Sequence, residues 1–236
     1  MTSSNLITQI YRTLARHYGP LHWWPAHTRF EVIVGAFLTQ NTSWKNVERA
    51  LKNLRRAGVL SISGIREIAL ADLEQLVRPS GYYRQKALRL KMFIVYLDER
   101  YKGSLNRMFE QPLDALRAEL LSQNGIGPET ADAILLYAGK LPVFVVDAYT
   151  KRIFERHEIT SSNAKYQEVR NLVETIFTSQ FRASELADHY NEFHALIVQV
   201  GKDHCGRVAQ CGGCALQSLL PTEASQSQSR ETPARR

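Results

Sequence analysis

A glycine-rich turn in the middle of the chain has the composition of a phosphate-binding backbone loop. The stretch from Leu121 to Arg152 reads LSQNGIGPETADAILLYAGKLPVFVVDAYTKR. One helix is predicted to end near Gln123 and another to begin at Pro128, because proline is accepted in the first turn of a helix. Gly125 and Gly127 let the backbone approach an anion, which free helix N–H groups can bind without side-chain charge. A plain helix connection is the alternative, since Gly-x-Gly alone is a weak signal.

An aspartate follows this turn at the start of the next predicted helix. Asp147 lies 20 residues after Gly127 and directly before a helix expected from Ala148. A carboxylate held there can stabilise a developing positive charge, and it can orient or deprotonate a water molecule. Aspartate is also a common N-cap residue. Both roles are compatible, because a capping side chain is held rigidly.

Apolar residues recur at helical spacing along almost the whole chain, so the elements that position these groups are expected to be helices. The predicted helices are one through Leu6, Ile10 and Leu14, a second over 30–38, a third through Ala50, Leu51 and Leu54, short helices over 65–76, and further helices over 86–101, 112–121, 129–138, 148–157, 166–177 and 184–200. The β-branched stretch 143–146 is too isolated to build a sheet. The sequence therefore predicts an all-α fold.

Length, composition and charge limit the class of protein. The chain has 236 residues, of which 44% are hydrophobic and 22% charged, with a formal net charge of +7. This composition is that of a globular protein, and the basic surplus suits a polyanionic partner because neutralised phosphates release counterions. The sequence has no run of about 18 apolar residues and no apolar signal core, so we expect a cytoplasmic protein without a membrane partner. The polar tail after Pro221 is expected to be disordered.

The turn and the aspartate together resemble the helix-hairpin-helix, Gly/Pro-rich loop and aspartate signature of the endonuclease III superfamily of DNA glycosylases. The resemblance extends over about residues 7–216. It implies a two-lobed, all-α, helix-hairpin-helix glycosylase fold that acts as a monomer on double-stranded DNA containing damaged bases. The implied boundaries are 1–28 with 143–220 for one lobe, 29–142 for the other with the hairpin at 115–138, and 221–236 for the tail.

The resemblance also assigns roles to individual residues of the hairpin and beyond it. Gly125, Ile126 and Gly127, together with Thr130, would bind the DNA backbone, and Ile126 would anchor the turn in the core. Asp147 would carry the chemistry. Cleavage of an N-glycosidic bond passes through an oxocarbenium-like sugar, whose positive charge a nearby carboxylate stabilises.

Bifunctional members of the superfamily carry a lysine early in the second hairpin helix, where its amine attacks the sugar and forms a Schiff base. The motif Gly-Ile-Gly-Pro-Glu-Thr-Ala puts Glu129 at that position. A carboxylate cannot form an imine, so the resemblance implies a monofunctional enzyme in which water attacks and the strand stays uncut. Two alternatives stay open. One is a displaced lysine, with Lys140, Lys151 and Lys202 nearby in sequence, and the other is a purely favourable interaction of Glu129 with the helix dipole.

The three tryptophans occur in segments that suit a pocket for a flipped base. Trp23 and Trp24 precede Pro25, and Trp44 follows a Leu-Thr-Gln-Asn-Thr run. Aromatic faces stack on a base, exclude water and attract a cationic base. Both segments resemble the 3-methyladenine DNA glycosylase III branch, which also has glutamate in place of the lysine. The base pocket implied by this resemblance consists of Trp23, Trp24, Pro25, Trp44 and Glu129. Core packing is the alternative role of the tryptophans.

Two further segments are implied to contact DNA. Gln40 matches the polar residue that superfamily members insert into the duplex to fill the vacated base position, although an exposed helix end explains it equally well. Tyr82, Arg84 and Lys86 lie in PSGYYRQKA, which resembles the loop-to-helix segment of the family near DNA. A basic helix start with flanking tyrosines suits phosphate contact, and a solvated surface is the alternative.

The three cysteines cluster near the end of the chain as Cys205-x5-Cys211-x2-Cys214. Endonuclease III proteins often carry an iron–sulfur loop there, with the spacing Cys-x6-Cys-x2-Cys-x5-Cys. In this chain the first spacing is one residue shorter and Leu220 holds the fourth position, so the cysteine set for a [4Fe–4S] cluster is incomplete. A relic loop, a three-cysteine cluster and a zinc site stay open, with His204 as a substitute ligand, and we expect no intact cluster.

The resemblance thus predicts a base-excision DNA glycosylase that removes alkylated purines such as 3-methyladenine. Three alternatives are a bifunctional glycosylase and AP lyase for oxidised pyrimidines, a glycosylase for another base, and a non-catalytic helix-hairpin-helix DNA-binding protein. Glu129 argues against the first, and Asp147 with the aromatic residues argues against the last.

Overall fold

The computed structural model describes residues 3–21 and 28–221, and in these ranges every regular element is a helix. The β-structure in the described ranges amounts to one isolated bridge between Cys205 and Ala209, so the prediction of an all-α fold is confirmed. The α-helices of the described ranges are α1 (Ser3–Tyr18), α2 (Arg29–Leu38), α3 (Trp44–Arg56), α4 (Ile62–Glu67), α5 (Leu70–Val77), α6 (Tyr83–Tyr101), α7 (Leu105–Phe109), α8 (Leu113–Ser122), α9 (Pro128–Ala133), α10 (Ala148–Arg156), α11 (Tyr166–Thr178) and α12 (Leu186–Asp203). Short 3-10 turns lie at Arg78–Ser80, Ala183–Glu185 and Gln217–Leu219, and a π-helical turn lies at Ile134–Ala138.

None of the helices within 3–21 and 28–221 combines the length and the apolar character needed to cross a bilayer. The tail that the sequence predicts to be disordered begins at the edge of the described residues, and almost all of it lies outside them.

The described residues form two compact units, one within 28–143 and the other made of 3–21 and 144–221. In the first unit α2 is the central helix. Its sequence RFEVIVGAFL is apolar on nearly every side, and all residues from Phe30 to Leu38 are buried, as expected of a helix surrounded by others. Its acidic residue, Glu31, is only 3% exposed and forms an ion pair with Arg55 of α3.

The second hairpin helix differs from its prediction in its last turns. The spacing predicts one helix over 129–138, whereas α9 passes into a π-helical turn at Ile134–Ala138. There the N–H of Gly139 donates to the carbonyl of Ile134, five residues earlier, at 3.1 Å. Each π turn holds one residue more than an α turn. Because all five residues of the turn are buried, their apolar pattern gives no sign of the change.

The second unit has an aromatic core between α11 and α12. Phe177 stacks on Phe193 with ring centroids 5.2 Å apart, and Phe144 stacks on Phe193 at 5.6 Å. Such aromatic pairs stabilise a core beyond the burial of their area. α1 packs against both α11 and α12, so the N-terminal helix is part of this core.

The β-branched stretch 143–146 is buried and belongs to no sheet, as predicted. Side chains of α11 supply partners for two of its backbone N–H groups. The N–H of Phe144 donates to Glu174 Oε1 at 2.9 Å, and the N–H of Val146 donates to the hydroxyl of Tyr166 at 3.3 Å. Buried backbone groups need such partners when no neighbouring strand supplies them. The stretch therefore enters α10 from a fixed position.

Candidate functional site

The hairpin has the geometry that its glycines and proline predict. Gly125 adopts a left-handed backbone with φ +82° after α8, and Gly127 is the N-cap of α9, with Pro128 in the first turn. Ile126 between them is 5% exposed. The predictions that α9 begins at Pro128 and that Ile126 anchors the turn are therefore confirmed, while the binding of DNA by this turn remains a prediction.

The two glycines of the hairpin are needed for different reasons. The left-handed φ at Gly125 favours glycine, and a Cβ atom there would also lie 2.1 Å from Arg89 Nε, so any other residue would displace the Arg89 side chain. A Cβ atom at Gly127 would meet no described atom within 4 Å, and the φ of −89° there suits any residue. Contacts within the described chain thus give no reason for glycine at 127, whereas close approach of a ligand to the backbone does.

Gln40 is brought into contact with the hairpin rather than left at an open helix end. Its Nε2 donates to the carbonyl of Gly125 at 3.0 Å and to Thr130 Oγ1 at 2.9 Å, and its Oε1 accepts from Arg89 Nη1 at 2.8 Å. Thr130 is 7% exposed. The Thr130 hydroxyl therefore accepts a hydrogen bond from Gln40 inside the hairpin, and its contact with DNA remains a prediction.

Lys86 is the clearest correction to the predicted DNA contacts. It is 1% exposed, and its Nζ donates to the carbonyl of Leu38 at 2.9 Å and to that of Ser80 at 2.6 Å. Burial, with a smaller effect of nearby Arg89, lowers the pKa of its ammonium to about 8. The ammonium cannot reach a phosphate from there, so the prediction for Lys86 is wrong. It instead joins the end of α2 to the loop before α6.

The neighbours of Lys86 in that segment are accessible. Tyr82 is 67% exposed and has a left-handed backbone with φ 44°. The Arg84 side chain is 78% exposed, and its Nε lies 3.9 Å from Glu74 Oε2. An exposed pair at this distance contributes little to stability. Both side chains are free to meet a duplex, and their contact with DNA remains a prediction.

The residues assigned to the base pocket are only partly described. Trp23, Trp24 and Pro25 lie outside the described residues. Trp44 begins α3, is half-buried, and donates through its indole Nε1 to Glu48 Oε1 at 3.0 Å. Glu129 is exposed in the first turn of α9, where an acidic side chain interacts favourably with the helix dipole. Their roles in a base pocket remain predictions.

Asp147 is the N-cap of α10, as its place in the sequence predicts. Its Oδ1 accepts from the backbone N–H of Thr150 at 2.7 Å and from the Thr150 hydroxyl at 2.9 Å. The side chain is 14% exposed. Among the described residues its Oδ2 accepts no hydrogen bond, and His194 Nε2 lies 3.8 Å from it. One oxygen thus fixes the carboxylate, and the other remains available for a reaction.

The helix that carries Asp147 is itself held closely by α12. At Gly201 a Cβ atom would lie 2.3 Å from Tyr149 Cδ1, so only glycine lets Tyr149 pack at this distance. His194, also on α12, is 6% exposed, and burial lowers its pKa while Asp147 opposes that shift. A neutral imidazole therefore lies beside the carboxylate at neutral pH. His194 had no assigned role from sequence, because a histidine on an apolar helix face predicts only core packing.

The three cysteines are half-buried free thiols that line one cavity together with Leu216 and Leu220. Arg156 Nη1 donates to Cys205 Sγ at 2.9 Å, and Arg152 Nη1 donates to the Cys205 carbonyl at 2.9 Å. The fourth cluster position is the apolar Leu220, and the described residues contain no group of three or more His, Cys, Asp or Glu arranged to hold a metal ion.

This donor set does not fit a four-thiolate [4Fe–4S] cluster. Each iron of such a cluster takes a thiolate, and a leucine at the fourth position cannot supply one. The substitute ligand considered from sequence, His204, has its Nδ1 at 3.1 Å from the carbonyl of Gln210. The three-cysteine cluster and the zinc site stay open as predictions.

Comparison with known proteins gives matches along most of the chain. A family model described as "HhH-GPD superfamily base excision DNA repair protein" matches residues 34–179. The chain is 45% identical over 216 residues to "Putative DNA repair glycosylase MJ1434" of Methanocaldococcus jannaschii, an alignment that covers 91% of this chain and 95% of that protein.

Two solved structures are also similar. One is the H. pylori 3-methyladenine DNA glycosylase bound to 1,N6-ethenoadenine, with a TM-score of 0.73 and 31% identity, covering 86% of this chain and 98% of that one. The other is a trapped endonuclease III–DNA covalent intermediate, with a TM-score of 0.77, covering 98% of this chain and 100% of that one. At 21% identity the second likeness is one of fold alone.

Proposed function

The chain belongs to the HhH-GPD superfamily of base excision DNA repair proteins and is a DNA glycosylase of that superfamily, and from this premise we propose that it hydrolyses the N-glycosidic bond of alkylated purines such as 3-methyladenine. The proposed enzyme is monofunctional and leaves the DNA strand uncut. Its partner is double-stranded DNA that carries damaged bases, and it acts as a monomer.

The observation that carries this proposal is the fixed carboxylate of Asp147. Two hydrogen bonds from Thr150 hold Oδ1, whereas Oδ2 accepts none among the described residues. When the bond between C1′ and the base nitrogen breaks, its electron pair leaves with the base and the sugar becomes oxocarbenium-like. A carboxylate beside that sugar stabilises the positive charge. It also takes a proton from the attacking water, whose oxygen forms the new bond to C1′.

Glu129 supports attack by water rather than by an amine. It occupies the place in α9 where the resemblance to the superfamily expects the lysine of bifunctional enzymes. The lysines that could substitute, Lys140, Lys151 and Lys202, are all exposed. Borohydride reduction in the presence of an abasic duplex tests them. We expect no efficient covalent adduct, and an adduct formed in high yield would contradict a monofunctional enzyme.

The chemistry of the base supports an alkylated purine as the substrate. A 3-alkylated adenine carries positive charge and leaves readily, so its removal needs stacking and charge stabilisation more than a general acid. Indole rings suit such a base, because their faces attract cations, and we assign this role to Trp44 with Trp23 and Trp24. The similarity to a 3-methyladenine DNA glycosylase at 31% identity agrees with this choice.

The decisive experiment measures release of 3-methyladenine from methylated duplex DNA under single-turnover conditions. Asp147→Asn keeps an oxygen for the N-cap but removes the charge, and we expect a loss of about 100-fold or more in rate. Asp188→Asn, an exposed acid in the first turn of α12, is the matched control and should release the base at the wild-type rate. Full activity of Asp147→Asn would overturn the proposal, and duplex binding without base release by the wild type would favour a non-catalytic DNA-binding protein.

A further inference from the structure

Arg89 connects α6 to the hairpin turn. Its side chain lies directly against Gly125, since a Cβ atom added there would lie 2.1 Å from Nε and 2.6 Å from Cζ. No sequence motif pointed to this residue, because its distance from the hairpin along the chain hides the contact. The guanidinium is therefore a positive charge at the surface of the turn that is proposed to bind a phosphate.

Gln40 fixes the direction of that guanidinium. Its amide nitrogen is held by Gly125 and Thr130, so its oxygen is left to accept from Arg89 Nη1 at 2.8 Å. An amide held at both ends cannot turn without losing these bonds. Arg89 is thereby oriented before any ligand arrives, which reduces the entropy lost on binding.

Arg89 keeps donors available after this contact. A guanidinium has five N–H groups, and in the part of the chain that the structure describes Arg89 donates one hydrogen bond, to Gln40, and makes no ion pair. Lys86 is close enough for the positive charge of Arg89 to contribute to the lowering of its pKa. Two cations that repel each other, with no carboxylate paired to Arg89 among the described residues, favour an anion supplied from outside the chain.

From this arrangement we infer that Arg89 is a direct ligand of the DNA phosphate bound at the hairpin, oriented for that contact by Gln40. This inference rests on the proposed function, since it requires the hairpin to bind DNA. The planar fork of a guanidinium matches two phosphate oxygens. Arg89 thus supplies side-chain charge to a site that the sequence predicts to use only backbone N–H groups.

The salt dependence of duplex binding tests this inference, because each phosphate contact by a cation releases counterions. We expect Arg89→Gln to bind a short undamaged duplex at least about tenfold more weakly than the wild type. Its plot of log binding constant against log salt concentration should be less steep by about 0.9. Arg89→Lys keeps the charge and should keep most of the slope. Gln40→Ala keeps the guanidinium and should also keep the slope.

Arg100→Gln is the matched control, because Arg100 lies on the same helix, is 62% exposed and pairs with Glu119. It should keep both the affinity and the slope of the wild type, and thermal unfolding of each variant checks that it is folded. If Arg89→Gln bound more weakly but kept the wild-type slope, Arg89 would be a positioning residue only and the inference would be overturned. Unchanged binding by Arg89→Gln would overturn it as well. If the wild type binds duplex but releases no base, the proposed glycosylase fails while the salt slopes still decide the role of Arg89.

Discussion

Arg117 of α8 holds Asp132 of α9 through two hydrogen bonds, from Nε to Oδ1 at 2.6 Å and from Nη2 to Oδ2 at 3.1 Å. The Asp132 side chain is completely buried and that of Arg117 is 15% exposed. The pair fastens the two hairpin helices to each other behind the turn. By holding the helices on both sides of the turn, the pair helps to position it.

Breaking this pair from one side should destabilise the protein strongly. Asp132→Ala leaves a largely buried guanidinium without its carboxylate, so we expect the free energy of unfolding in urea to fall by about 3–5 kcal/mol. Replacing both partners, as in Arg117→Met with Asp132→Leu, should restore much of this loss. Asp98→Asn, in the exposed pair with Arg66, is the control and should change stability little. Equal effects of Asp132→Ala and Asp98→Asn would contradict the role of burial.

The hydroxyl of Thr150 should influence the reaction rate more than the fold. Thr150→Val keeps the shape of the side chain and the backbone N–H bond to Asp147 but removes the second hydrogen bond to Oδ1. We expect single-turnover base release to slow by about fivefold, the worth of roughly one hydrogen bond. Thr175→Val, at an exposed position of α11, should leave the rate unchanged. Wild-type release by Thr150→Val would mean that the N–H bond alone fixes the carboxylate.

Substitutions at the two hairpin glycines should affect protein stability and duplex binding differently. Gly127→Ala fits the folded chain, because its φ is ordinary and no described atom lies within 4 Å of the added Cβ. We therefore expect an unchanged melting temperature and weaker duplex binding. Gly125→Ala forces a left-handed φ and a clash with Arg89, so it should lower the melting temperature as well. Normal duplex affinity of Gly127→Ala would argue against close approach of DNA to this backbone.

Stability should fall on acidification because of buried histidines. Burial lowers the pKa of His157 and of His194 below the ordinary value of 6.5. As the pH falls, the unfolded chain takes up these protons first, so the stability is complete above about pH 6.5 and is lost as the pH falls towards the lowered folded values. Urea unfolding between about pH 7.5 and 5 measures this loss. His157→Gln should make the stability fall less steeply as the pH drops, and His17→Gln, at an exposed position, should not.

The helices and the hairpin were predictable because their signals are local. Apolar residues at helical spacing, Pro128 in a first turn and Asp147 before α10 each act within a few residues of chain. The same local logic explains the error at Lys86. A lysine at a helix start among tyrosines and arginines suggests a surface position, and nothing near it in sequence reveals the carbonyls of Leu38 and Ser80 that accept its hydrogen bonds.

The contacts that complete the site were not predictable, because they join residues that are far apart in sequence. Gln40 and Arg89 meet Gly125 across separations of 85 residues in one case and of 36 residues in the other, and such pairs leave no periodic trace in a single sequence. Gly201 lets Tyr149, which follows Asp147 by two residues, pack against the helix that carries His194. A glycine at 201 is visible in the sequence, but the reason for it is the shape of a neighbour.

The buried ammonium of Lys86 joins the end of α2, from which the loop bearing Gln40 continues, to the loop that precedes α6 and bears Tyr82. Neither loop can shift alone without pulling a positive charge away from one of its acceptors inside a dry interior. If a duplex contacts these segments as proposed, it will meet them as a single stiff surface, in which a displacement of the exposed Tyr82 is transmitted to Gln40 through the buried side chain of Lys86.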